Sequence, residues 1–291
     1  MFDEEIAVQM QSAILMILAS QLIAALGAIL VKQWGAELPI MQLILFRQLF
    51  AAIILLPLLY KLFGCIKKSP YQKLHMFRGL MIAVSNVAFL IALLNLPLVT
   101  VTAVVYLSPI ILVLFSASLL GERQSSHKII TVCVGFVGIL LISKPHEFNL
   151  YVLVAAVAAV GVALNNVCLK RIASKEHPMV TLFWSNLYTV LLITPLVFWE
   201  GEAVSGTVVN VALLLALMYI AMTYFIIYAL RKADASRLAA AQYSGLIFAA
   251  VFGYWLFNES LDLWTWIGIC VVIISVLLPT EKIVRATKVI S

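Results

Sequence analysis

The order of apolar and polar positions divides the chain into ten long apolar stretches with short polar punctuation between them. They fall at roughly 11–32, 39–60, 73–95, 97–120, 126–143, 149–171, 178–199, 207–231, 235–258 and 262–279. Each is long enough, or nearly so, to cross about 30 Å of hydrocarbon as a helix rising about 1.5 Å per residue. Pro39, Pro70, Pro97, Pro145 and Pro178 stand at several of the connections, where a residue without an N–H interrupts no helix. The pattern predicts an all-α chain of ten transmembrane helices, with no soluble domain or low-complexity linker.

Composition explains why the stretches must meet lipid. Of 291 residues, 64% are hydrophobic and 11% charged, and the mean hydropathy is +1.11. A soluble domain has no interior large enough for that much apolar surface. The opening residues carry Asp3, Glu4 and Glu5 and no Lys or Arg, which is the wrong charge for a cleaved signal peptide. Residues 1–10 are therefore expected to form a cytoplasmic segment ahead of the first helix, and 280–291 a basic cytoplasmic tail. With ten spans, sixteen Lys and Arg fall on one side, including Lys61, Arg78, Lys175 and Lys232, and only Lys32 and Lys144 on the other. That asymmetry places both termini in the cytoplasm. It also gives the net charge of +6 a partner in anionic headgroups rather than nucleic acid. Cys65, Cys133, Cys168 and Cys270 form no disulfide framework and read as small packing residues.

A repeat runs through the apolar background. At a constant offset, Ala92 matches Ala229, Ala103 matches Ala240, Tyr106 matches Tyr243, Phe115 matches Phe252, Glu122 matches Glu259 and Cys133 matches Cys270. Near the start of each half, Glu37-Leu-Pro39 leads to Pro57 as Glu176-His-Pro178 leads to Pro195, and Lys32 and Lys170 close the first span. Ten spans and one duplication give five per half. Five is odd, so the second half crosses the membrane in the opposite sense. Inverted halves supply two states of similar energy, each open to one side.

The residues of this repeat resemble a known family. Ala92-Leu-Leu-Asn-Leu-Pro-Leu-Val-Thr-Val-Thr-Ala-Val-Val-Tyr-Leu-Ser-Pro109, then Leu119-Leu-Gly-Glu122 and Gly135-Phe-Val-Gly-Ile-Leu-Leu-Ile142, are similar to the first EamA unit of the drug/metabolite transporter superfamily. Ala229 through Glu259, followed by Trp266-Ile-Gly-Ile269, is similar to the second. The resemblance implies two inverted five-helix EamA repeats, 11–143 and 149–279, around a central cavity, with the fifth and tenth helices peripheral. Gly135-Phe-Val-Gly138, Lys144-Pro145 and Gln242-Tyr243-Ser244 are further similar to members described as S-adenosylmethionine uptake transporters. Ser108-Pro109 becomes Gly245-Leu246 in the second half, so the central proline is not repeated. Pro109 leaves the Val105 carbonyl without its donor and predicts a bend beside Tyr106.

Few polar side chains lie deep enough to serve a solute. No acidic residue sits in the middle of a span, and the polar residue inside the first span is Gln21, which does not titrate. This disfavours a buried-carboxylate proton/cation antiporter. Arg47, well inside the second span, is the outstanding charge. It reads either as a fork for a substrate carboxylate or phosphate, or as a partner for helix-end carbonyls or Glu37. Arg78, near the basic face, reads as snorkelling. Asn86, Asn165, Asn166, Asn186 and Gln242 need partners or a wet cavity, and each alone is more often interhelical glue. Trp184 with Tyr188, and Tyr224 with Tyr228, share helix faces and could wall a cavity or fill the core. Tyr106 and Tyr243 are the preferred aromatic candidates, with Ser108 and Pro109 as a bend or gate. Glu122 and Glu259 read as structural carboxylates at helix starts.

The candidate substrate site is thus Arg47, Tyr106, Tyr243, Gln242, Asn86, Gln21, Asn165, Trp184, Tyr188 and Tyr224. The leading reading is a secondary transporter of a small organic metabolite in a bacterial inner membrane, as facilitator or exchanger. An amino acid or derivative fits best, S-adenosylmethionine among them, and the chain would work as a monomer or weak homodimer. The alternative is efflux of multiple drugs or quaternary cations, and a non-transporting scaffold ranks below it. The chain carries no GxSxG, HExxH, paired CxxC or GxGxxG, and His75, His127, His146 and His177 are read as lying near span ends without a partner cluster. No enzyme, cofactor or metal site is expected.

Overall fold

A computed structural model describes residues 2–35, 37–63, 69–108, 111, 115, 134–138, 140–142, 149–172, 175–232, 241–259 and 262–277. These residues form helices α1 (Phe2–Trp34), α2 (Ile40–Phe63), α3 (Gln72–Asn95), α4 (Leu98–Val105), α5 (Leu150–Ile172), α6 (Pro178–Glu200), α7 (Gly206–Lys232), α8 (Ser244–Phe257) and α9 (Leu263–Leu277). Six of them, α1, α2, α3, α5, α6 and α7, are long and apolar enough to cross a membrane. The chain is an all-helical, multi-pass integral membrane protein. Glu122, Pro109 and the tail 280–291 lie outside the described residues.

Local chemistry sets the boundaries. At α6, His177 Nδ1 accepts from the Met179 N–H, Pro178 follows where its missing N–H costs nothing, and Gly201 closes the helix at φ 67°. Helix α1 reaches back to Phe2, so the segment ahead of the apolar span, which begins at Gln9, is helical and continuous with it; Asp3, Glu4 and Glu5 suit a helix start. Helix α4 ends at Val105, with a turn at Tyr106, as the following proline predicts. The second half breaks at the equivalent place, since Tyr243 is also a turn residue. No proline stands there. Leu246 takes its place, and Gly245, the mate of Ser108, adjoins the break; glycine is a poor helix former.

The packing follows the repeat. Helix α1 packs on α7, and its repeat mate α5 packs on α3; α2 meets α7 as α6 meets α3; α1 meets α8 as α5 meets α4. Two pairs of mates, α2 with α6 and α4 with α8, pack on each other and so straddle a pseudo-two-fold axis. The ends fix the sense of the repeats. Gln42 Nε2 donates to the Glu202 carbonyl, and Lys32 meets Glu259, which puts the C-termini of α1, α6 and α8 and the N-termini of α2 and α7 at one end. Lys232 Nζ donates to Ser12 Oγ, and His75 meets Glu176, which puts the N-termini of α1, α3 and α6 and the C-termini of α5 and α7 at the other. Helix α1 therefore runs against α5, and α3 against α7, so the repeats are inverted.

Close helix approach depends on small residues. A Cβ added at Gly79 would sit 2.6 Å from the Tyr188 Cβ, and one at Gly161 would sit 3.0 Å from the Met81 carbonyl oxygen. Thr189 Oγ1 reaches the Gly79 carbonyl and Ser85 Oγ reaches the Ala158 carbonyl at the same crossings. On the flank, Gly268 of α9 lies against the Gly138 carbonyl and Ile142, so the last helix meets the described part of the fifth span.

Candidate functional site between the repeats

A cavity of about 190 Å³ opens between α1, α2, α3 and α7. Its apolar wall includes Gly27, Ala28, Phe89, Met218 and Met222, and its polar wall is Arg47 with Tyr219. Arg47 Nε is buried and has no hydrogen-bond partner among the described residues. Glu37, the carboxylate weighed as its structural partner, is exposed. A buried donor without a partner is costly, and placing the half-buried guanidinium in the wall of a cavity lowers that cost. Tyr219 lies within electrostatic reach of both Arg47 and Arg78.

A second group sits on the axis. Tyr106 and Tyr243, matched by the repeat, stack on each other with ring centroids 5.1 Å apart and planes at 27°. The Tyr106 hydroxyl donates to Gln21 Oε1 at 2.6 Å and lies 3.0 Å from the Gln242 carbonyl. Gly245 makes this possible, since a Cβ there would collide with the same hydroxyl. Ser108, two positions after Tyr106, is buried. Gln21 lies one helical turn before Ala24, a residue of the cavity wall, so α1 links the tyrosine pair to the Arg47 cavity.

The remaining candidates separate from this centre. Asn165 Oδ1 accepts from Arg78 Nε at 3.0 Å, and its amide donates to Asn166. Tyr188 donates to Gln72 Oε1 at 2.8 Å, while Trp184 packs edge-on to Phe183. Tyr224 stacks on Tyr228 and is 59% exposed, in a groove shared with Leu55 and Leu58 on the flank of the bundle. A second flank groove holds the repeat mates of these residues, Val87, Ile91, Ile193 and Leu196. Among the described residues, Asn86 Nδ2 and both amide atoms of fully buried Asn186 have no hydrogen-bond partner.

Three expectations are corrected. Arg78 does not snorkel: it is buried, and besides Asn165 its Nη1 reaches the Thr181 carbonyl at 3.4 Å. Helices α5 and α6 close over it and supply those two acceptors. His75 does have a partner cluster. It is fully buried, with Nε2 2.9 Å from Glu176 Oε2 and 3.0 Å from Ser69 Oγ. Glu259 does begin a helix, but in the other repeat: both its oxygens accept from the Leu98 N–H, at 2.9 and 2.8 Å. Lys32 Nζ joins them, 2.5 Å from Glu259 Oε1 and 2.7 Å from the Leu96 carbonyl. Sequence distance hid these contacts. Tyr219 was missed altogether, although an aromatic residue so deep in a span, away from either interface, was the available signal.

Inverted repeats of membrane helices with a cavity at their interface are the architecture of a membrane transporter. The EamA-like transporter family profile matches residues 11–144 and again 149–280. The chain belongs to the EamA-like transporter family. It is 25% identical to the S-adenosylmethionine uptake transporter of Rickettsia prowazekii over 88% of each chain. It is 27% identical to the pseudopaline exporter CntI of Pseudomonas aeruginosa, over 90% of this chain and 93% of that one. A crystal structure with 18% identity superposes with a TM-score of 0.66, covering 93% of this chain and 97% of the other, which supports the fold alone.

Proposed function

We propose that the protein carries a small organic metabolite bearing a carboxylate or similar anionic group across a bacterial cytoplasmic membrane by alternating access. An amino acid or amino-acid derivative is the substrate class, moved by facilitation or exchange. The observation that carries this reading is Arg47: its Nε has no acceptor among the described residues, and the side chain lines a cavity between the repeats. A carboxylate there would form the paired charge-assisted bonds that Arg favours. Phe89, Met218 and Met222 would hold the organic body. Sixteen basic residues on one side support cytoplasmic termini, with repeats at 11–143 and 149–279 flanked by cytoplasmic ends 1–10 and 280–291.

The relatives named for S-adenosylmethionine and for pseudopaline support an organic solute of this kind. A cavity of about 190 Å³ suits an amino acid as it stands, and S-adenosylmethionine would require it to widen. The positive charge of Arg47 argues against quaternary cations as cargo. Since the cavity lies within one chain, a monomer suffices. The test is thermal stability of the purified protein across amino acids, S-adenosylmethionine, organic phosphates and quaternary amines. A ligand at a hundredfold its Kd adds about 2.7 kcal/mol. Carboxylates should stabilise the protein, and Arg47→Ala should abolish the shift. Stabilisation by carboxylate-free cations alone, unchanged in Arg47→Ala, would overturn the assignment.

A further inference from the structure

The end that carries Lys32 and Glu259 is held by a cluster of polar contacts whose parts come from both repeats. Helix α8 stops where Asn258 takes a left-handed turn at φ 50°, and the Glu259 N–H returns to the Gly253 carbonyl at 3.1 Å. This folds the Glu259 carboxylate back against α8. A Cβ at position 253 would lie 2.5 Å from Oε2, so the close approach needs glycine. From there the carboxylate reaches the first repeat. Both oxygens accept from the Leu98 N–H, and Oε1 lies 2.5 Å from Lys32 Nζ. Pro97, the N-cap residue of α4, offers no side-chain acceptor, so the carboxylate of the other repeat supplies it. Lys32 Nζ also donates to the Leu96 carbonyl and lies 5.2 Å from the centre of the Phe257 ring.

The cluster lies one turn beyond the solute cavity. Ala28 and Val31 of α1 line that cavity, and Lys32 follows Ala28 on the same helix face. The cavity wall also draws on the parts of α2 and α3 nearest this end, Arg47 and Phe89 with Leu90. We propose that Lys32 and Glu259 form the outer gate of the transporter. Joined, they hold α8 of the second repeat on α1 and α4 of the first and close the cavity to the outside. Opening to that side parts them and uncaps α4. An ion pair suits the task because its attraction is set against lost hydration; the two side chains are 15% and 10% exposed here, and water entering the opening cleft offsets part of what separation costs. The inference rests on alternating access and on cytoplasmic termini, both part of the functional reading, and not on which solute is carried.

The test is side-specific labelling of a cysteine in the cavity wall. In a full-length chain with Cys65→Ser, Cys133→Ser, Cys168→Ser and Cys270→Ser, Ala28→Cys is exposed to an impermeant maleimide. The reagent is applied from outside to intact cells and from the cytoplasmic face to inverted vesicles. Loss of a hydrogen bond to a charged group shifts a two-state balance by about tenfold or more. Lys32→Met and Glu259→Gln should therefore each raise the rate from outside by about tenfold, while the rate from the cytoplasmic face stays level or falls. Lys32→Arg, which keeps the charge, should stay near the parent. An unchanged rate from outside in both variants would overturn the proposal. A rise from both faces would overturn it as well, since a loosened bundle has no preferred side. Uptake into liposomes separates the gate from the solute reading. A one-sided shift with no uptake of any carboxylate would support the gate and count against that reading, and uptake of a carboxylate with no shift would do the reverse.

Discussion

At the scale of single residues, two side chains decide what the cavity can do. Arg47 offers a fixed positive charge with an unused donor. A hydrogen bond to a charged group contributes about 1.5–3 kcal/mol, so Arg47→Ala should weaken binding of a carboxylate solute by about tenfold or more. Arg47→Lys should recover only part, because a point charge cannot make the paired bonds of a fork. Isothermal titration of both variants checks this. Tyr106 works by different means, holding α1 against α8 through Gln21 and the Gln242 carbonyl. Tyr106→Phe removes one buried hydroxyl and should lower stability by about 1 kcal/mol. Gly245→Ala should cost more, since the new methyl group meets that hydroxyl and Gln21 Oε1 together. Thermal melts in detergent would show that order, and equal melting points for the two variants would refute it.

At the scale of elements, the sequence was informative about lengths and poor about faces. Spans could be counted because hydrocarbon thickness dictates helix length. The direction each helix faces could not be read, because residues that meet lipid and residues that meet other helices are both apolar. Tyr224 and Tyr228 illustrate this: their spacing of four was read correctly as one face, and that face turned out to be a flank groove. Tyr106 and Tyr243 escaped the ambiguity because the repeat, not hydrophobicity, paired them. Arg78, His75 and Glu176 were legible one by one as charges near an end, but the approach of α3 to the α5–α6 connection spans a hundred residues of sequence. The Lys32–Glu259 pair belongs here too, because it binds α1, α8 and the start of α4 into one end. Glu259→Gln keeps the shape and removes the charge. It should cost about 1–3 kcal/mol, and much less in a Lys32→Met background; a double-mutant cycle measures the difference.

At the scale of the whole molecule, the contact pattern and the end-to-end contacts together define an inverted pair of repeats. This makes a topological forecast. A cysteine replacing Lys175 should react with an impermeant maleimide only from the cytoplasmic side, and one replacing Glu202 only from the outside, in intact cells compared with inverted vesicles. Labelling of both from one face would contradict the inversion.

The stacked tyrosines carry a last consequence for how the two states balance. If the repeats trade roles, Tyr106 and Tyr243 exchange places and their ring contact survives, like a hinge pin that fits either way round. The contact with the Gln242 carbonyl has a counterpart in the Val105 carbonyl, but the contact with Gln21 has none. In the exchanged arrangement Tyr243 would seek its acceptor at the repeat mate of Gln21, and that position is Ala159, which has none. One hydrogen bond of about 1 kcal/mol is therefore present on one side of the cycle only, a resting preference of about fivefold. The protein is a lever weighted at one end, and Ala159→Gln should level it.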